Sequence, residues 1–163
     1  MKKILFILTC FMVCNGVIAQ SLGKMALGCK RADIPLSLPS GFNICKTNTS
    51  NQLTYVKGKD GSEYVSFYLS DNIVYKIVMH KYIGMGGSTQ QMNSKIEDVF
   101  ISLCDMWGEP SYIGENIYWQ FPASKATFSY NVTSEQFYGL YGIETYYDCY
   151  VDIKLEKRTN LFE

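Results

Sequence analysis

The hydrophobic period of this chain changes twice, and those changes narrow the folds open to it. Between Glu63 and Leu69, Val65, Phe67 and Leu69 fall on one face, with Tyr64, Ser66 and Tyr68 on the other. This is the period of two of a strand. Leu53 to Lys57 and Ile73 to His80 flank it, joined through Asp60-Gly61 and Ser70-Asp71-Asn72. Those are turn residues, so the three runs read as an antiparallel meander. The period then lengthens: Ile96, Val99, Phe100, Leu103, Cys104 and Trp107 recur at steps of three and four, the stripe of a helix facing a core. Ser88 with Gln91 and Ser94 with Glu97 both have capping-box spacing, and Met92 extends the stripe toward the earlier start. Gly108 and Pro110 end the helix.

Beyond the helix the alternation returns. Ile117, Trp119 and Phe121, then Ala126, Phe128, Tyr130 and Val132, point inward from two runs joined through Pro122 to Lys125. In the last run Cys149, Val151, Ile153 and Leu155 share a face opposite Tyr150, Asp152, Lys154 and Glu156. The expected class is α+β: an antiparallel sheet of about six strands with one long helix packed across one face, in the order βββ-α-βββ. The segment from Gln20 to Asn51, interrupted by Pro35, Pro39 and Gly41, reads as an irregular wrap with one short strand.

The amino terminus predicts export. Lys2 and Lys3 precede an apolar run from Ile4 to Val13, and Val17-Ile18-Ala19 presents a cleavage site before Gln20. The run is too short to span a bilayer. Cys10 and Cys14 lack the small preceding residue of a lipoprotein signal, since Thr9 and Val13 stand there. Residues 1–19 are thus expected to be a signal peptide and residues 20–163 one secreted or periplasmic domain. Losing Lys2 and Lys3 leaves 13 basic against 15 acidic side chains, which gives nucleic acid nothing to bind.

Four cysteines remain: Cys29, Cys45, Cys104 and Cys149. An even number in an exported chain predicts two disulfides. The stripe holding Cys104 and the inward face holding Cys149 favour a Cys104–Cys149 link, with Cys29 and Cys45 closing the amino-terminal loop. On the loop-entropy model the longer link stabilises by roughly 4 kcal/mol and the shorter by about 3. No two cysteines have zinc-ligand spacing and His80 is the only histidine, so neither a metal nor a cofactor is expected.

The residues offer no catalytic set. A cysteine nucleophile would need a base, and His80 reads as a surface residue at a strand end. Glu97, Asp98 and Asp105 lie on or beside the wet face of the helix, Glu109 follows it, and Glu144 and Asp148 are placed in a loop. Gly84-Met85-Gly86-Gly87-Ser88 precedes the helix as a phosphate loop does, without that loop's lysine or spacing. It reads as a connector capped by Ser88. Asn48-Thr49-Ser50 and Asn131-Val132-Thr133 match glycan-acceptor spacing, in a chain whose leader looks bacterial.

Gly84-Met85, the helix, Trp107-Gly108-Glu109-Pro110 and Tyr118-Trp119-Gln120-Phe121 together resemble small envelope domains of the BamE (SmpA/OmlA) and beta-lactamase-inhibitor-protein-like type. The likeness covers about 40 residues, and it implies a secreted, non-enzymatic domain that binds other proteins. This chain departs from the pattern in having no lipid-attachment cysteine, an insertion between Gly84-Met85 and the stripe, and a meander before the helix. No family binding residue carries over.

The stretch from Phe137 to Tyr150 stands out. It holds Tyr138, Tyr141, Tyr146, Tyr147 and Tyr150, five of the 13 tyrosines, interspersed with Gly139 and Gly142. Tyrosine offers large contact area with few rotors and a hydroxyl that tolerates water, as recognition loops require. These rings form either a binding surface or a cover for the sheet. The function expected is a binding module of a bacterial envelope that contacts another protein. The alternatives are an inhibitor or immunity protein, and a glycan binder that stacks sugars on these rings.

Overall fold

The computed structural model describes residues 21–45, 48–58, 62–113 and 116–158. The expected signal peptide, the cleavage site and the Asp60-Gly61 turn lie outside those residues. Among the described residues there are ten strands and two α-helices: β1 Ser21–Leu22, β2 Met25–Ala26, a 3-10 turn Arg31–Asp33, α1 Ile34–Ser37, β3 Asn43–Ile44, β4 Gln52–Lys57, β5 Glu63–Ser70, β6 Ile73–Gly86, α2 Thr89–Trp107, β7 Ser111–Ile113, β8 Asn116–Gln120, β9 Ser124–Gly139 and β10 Gly142–Lys157. β1 and β2 form a small hairpin, and the other eight strands form one antiparallel sheet in the order β3-β4-β5-β6-β10-β9-β8-β7.

This corrects the expected α+β class of about six strands and one helix. Among the described residues the fold is mostly antiparallel sheet, 57% strand, with eight strands in the main sheet and a second, four-residue helix. The added strands β3 and β7 are two and three residues long, too short for any period to show. The final hairpin is correspondingly longer than expected: β9 and β10 run sixteen residues each, so Glu144 and Asp148 lie on a strand, not in a loop.

Two rows of paired residues run straight across the sheet and supply its buried face. One is Leu53, Phe67, Ile77, Leu155, Ala126 and Trp119, and the other is Tyr55, Val65, Met79, Ile153, Phe128 and Ile117. Every member of the first row is buried. α2 covers this face over β6 and β10 with Met92, Ile96, Leu103 and Trp107. Its amino terminus is capped at Ser88, whose hydroxyl accepts from the Gln91 amide, and at its end the Gly108 amide bonds the Cys104 carbonyl at positive φ. Trp119 fastens that end to the sheet. Its indole nitrogen donates to the Gly108 carbonyl at 2.7 Å, and its ring meets Trp107 edge-on at 5.3 Å. The Trp107-Gly108 and Trp119 motifs are thereby parts of one structural lock.

The β5–β6 turn carries Asp71 and Asn72 at positive φ, the conformation that a tight two-residue hairpin requires. A register irregularity between Tyr68 and Leu69 accompanies the burial of Val74 and the outward turn of Tyr75.

Cys29, Cys104 and Cys149 are free thiols, so neither expected disulfide is formed. The geometry explains the longer one. Cys149 pairs with Gly84, whose α-carbon faces Lys95 in the second turn of α2. Cys104 lies nine residues further on, about 14 Å along the helix axis, well beyond disulfide reach. Both cysteines were rightly placed at the helix–sheet interface, but at different heights in it. Burial pushes all three thiols above their ordinary pKa, opposed at Cys149 by the Lys95 charge and reinforced at Cys104 by Glu109 and Asp105.

Candidate functional site: the β9–β10 arm

β6 pairs with β10 only as far as Tyr147, opposite Gly86, and β8 pairs with β9 only over Lys125–Phe128. From Ser134 and Tyr147 outward the β9–β10 hairpin therefore pairs with no other strand among the described residues and forms a two-stranded arm about 17 Å long at 3.4 Å per residue. Its tip is the two-residue turn Leu140-Tyr141 between the paired Gly139 and Gly142. Gly142 sits at φ +128, which side chains rarely adopt, and a Cβ at Gly139 would come within 3.1 Å of a Glu144 carboxylate oxygen.

The tip is apolar and almost fully exposed: Tyr138 is 90%, Leu140 98% and Tyr141 97% accessible, and Phe137 and Ile143 are more than half accessible or nearly so. Register divides the arm into two faces. Tyr138, Ile143, Gln136, Thr145 and Ser134 lie on the side of the sheet that carries α2, and Phe137, Glu135, Glu144 and Tyr146 lie on the other. On the second face Phe137 packs edge-on against Tyr146 at 5.8 Å, and the Tyr146 hydroxyl donates to Glu144 at 2.6 Å. That bond and the charge of Glu144 hold the Tyr146 hydroxyl above its ordinary pKa.

The five predicted tyrosines do not form one surface. Tyr138 and Tyr141 are at the tip and Tyr146 is on the shaft. Tyr147 packs at the margin of the core, and Tyr150 belongs to the outer face of the main sheet. Leu140, Phe137 and Ile143 complete the tip, though sequence reasoning did not select them. The available signal was Gly139-Leu140-Tyr141-Gly142, a pair of glycines bracketing two residues as a two-residue turn does.

Tyr150 stands in an array that the sequence did not reveal. His80 is sandwiched between Tyr64 and Tyr150, with ring centroids 5.0 and 5.1 Å away and planes within 16° of parallel. His80 Nδ1 bonds Asp152 at 2.8 Å, and the Tyr82 hydroxyl donates to Asp148 at 2.8 Å. His80 lies in mid-strand because β6 continues to Gly86, which corrects its expected place at a strand end. Both faces of the His80 ring, and one face each of Tyr64 and Tyr150, are thereby occupied within the array. Burial, then the bond to Asp148 and its charge, push the Tyr82 hydroxyl up to about 12.

Among the described residues no group of three or more His, Cys, Asp or Glu side chains is placed to hold a metal ion, and no helix is long and apolar enough to cross a membrane. No family model, curated protein or solved structure matches the chain.

Proposed function

We propose that this chain is a secreted or periplasmic, non-enzymatic binding module of a bacterial envelope that engages protein surfaces through the β9–β10 arm. The observation that carries the reading is the exposure of Tyr138, Leu140 and Tyr141 together at the end of a projecting ribbon. Large apolar side chains grouped in water are costly unless something covers them, and aromatic anchors of this type dominate protein interfaces. The charge of the arm favours protein over lipid. From Asn131 to Tyr150 there is no lysine or arginine, only Glu135, Glu144 and Asp148, so an anionic membrane would repel it. Export is supported by the leader-like amino terminus, and binding without catalysis accords with the resemblance to envelope domains noted above.

The test is a tip variant, Tyr138→Ala with Tyr141→Ala. Neither ring is buried, so the urea midpoint should move by less than about 0.5 kcal/mol equivalent. Co-purification of envelope proteins with the tagged chain should fall at least tenfold. Undiminished co-purification by the folded variant would reject the arm as the binding element.

A further inference from the structure

We infer that the arm's occupant is a second copy of this chain, paired with the first edge to edge along β9. The inference rests on the reading of the arm as a protein-contact element and names its partner. The two formal edges of the sheet, β3 and β7, are two and three residues long, which leaves little backbone for another strand to pair with. β9 is different. Among the described residues no strand lies along its outer side from Tyr130 to Gly139, a ten-residue edge, since Asn116 of β8 stands beside Ser129. That edge has no proline, lysine or arginine, and its pairing with β10 runs without a bulge. The usual devices that blunt an exposed strand are absent, and a row of amides and carbonyls is left open for a ladder.

A two-fold antiparallel pairing is self-complementary, and one register fits. With Ser134 opposite its own symmetry mate, Tyr130 faces Tyr138 and the free edge of each copy is paired from Tyr130 to Tyr138, with Gly139 meeting the end of β8. Glu135 then faces Thr133. Centring on Glu135 would set two carboxylates against each other, and centring on Thr133 would leave the tip end of each edge unpaired.

In this register Tyr138 of one copy faces Tyr130 of the other on the helix side, and Tyr130 is itself 54% exposed. Beside Tyr130 lies a groove of about 250 Å³ between α2 and the sheet, lined by Ile96, Glu97, Phe100, Ile117 and Phe128. The incoming Tyr138 ring arrives over its mouth, with Glu97 able to accept from the hydroxyl. Leu140 and Tyr141 reach the end of the β7–β8 hairpin, where Tyr112 and Ile113 are exposed. One symmetry operation thus covers the edge, the tip and the groove of both copies.

The test uses the chain from Gln20 onward, with mass measured by sedimentation equilibrium and Ser134→Cys as a register probe. Facing α-carbons in an antiparallel pair stand about 4.5–5.5 Å apart, within disulfide range, whereas Thr133 and its mate would be separated by more than about 7 Å. The parent should dimerise. Under mild oxidation Ser134→Cys should give a dimer linked through residue 134 by peptide mapping, and Thr133→Cys should not link through residue 133. Ser134→Lys, an exposed change that places two cations face to face, should raise the dimer dissociation constant at least tenfold. A monomer at every concentration, an unaltered dimer in Ser134→Lys, or linkage through residue 133 instead of 134 overturns the inference. If a monomeric chain still loses a co-purifying protein on tip substitution, the dimer is overturned and the arm's binding role stands.

Discussion

Replacing Trp119 by Phe tests the packing that holds helix to sheet. The indole is 2% exposed, donates to the Gly108 carbonyl at 2.7 Å and lies against Trp107 and Phe100. Phenylalanine keeps an aromatic ring but loses the donor. Removing one partner of a part-buried hydrogen bond costs about 1–3 kcal/mol. The smaller ring leaves space among its neighbours and adds about 1 kcal/mol, a fraction of the 3–5 kcal/mol for truncating a buried aromatic to alanine. The expected loss is therefore about 2–4 kcal/mol, a fall in Tm of roughly 10 °C for a domain of this size. Urea unfolding followed by circular dichroism measures it, with the midpoint lowered and the slope unchanged. Because the rings of Trp107 and Trp119 touch, Trp107→Phe combined with Trp119→Phe should cost less than the sum of the two single changes. A loss below 1 kcal/mol for Trp119→Phe, or strict additivity of the pair, would refute the lock.

Two further outcomes follow from the outer face of the sheet. His80→Ala removes two stacked ring contacts and a bond to Asp152 from a partly exposed site, and should cost about 1–2 kcal/mol in urea unfolding; no change would mean that the array is not formed in solution. Tyr82, with its hydroxyl pushed up from 10.0 to about 12, favours the neutral form in the folded state. Its contribution to stability is complete below pH 10 and is lost as pH rises from 10 toward 12, and Tyr55, Tyr64 and Tyr146 are raised in the same direction. Tyrosinate absorbance of the folded protein should show Tyr82 ionising late, and Asp148→Asn should bring that step to lower pH; an unmoved step would show that Asp148 does not act on it.

Much of the sheet was legible in the sequence because period two persists wherever one face is buried. Leu155, Ala126 and Trp119 were each placed on an inward face, and with Phe67 and Ile77 they meet in one row across the sheet. The helix was legible for the same reason, with Ser88 and Gly108 marking its ends. Legibility failed where burial does not discriminate between faces. Along the arm both faces meet water, so Phe137 to Tyr146 shows no apolar alternation, and the continuation of β9 and β10 was hidden. The His80 array depends on partners 16 to 72 residues away, which a local pattern cannot reveal. The cysteines show a different limit: Cys104 and Cys149 belong to one interface by pattern, but the helix crossing that separates them along its axis is a tertiary property.

The central claim, that the tip of the arm is where this chain meets protein, is tested most directly by placing a photo-crosslinking amino acid at Tyr141 and, as a control on the body, at Leu36, which is 83% exposed. Illumination of cells producing each protein, followed by mass spectrometry of the adducts, compares two exposed positions that differ in whether they lie on the arm. The account predicts discrete protein adducts through residue 141, lost when Tyr138→Ala is added, and none of comparable yield through residue 36. Equal labelling at both positions, or none at residue 141 in a folded chain, would contradict it.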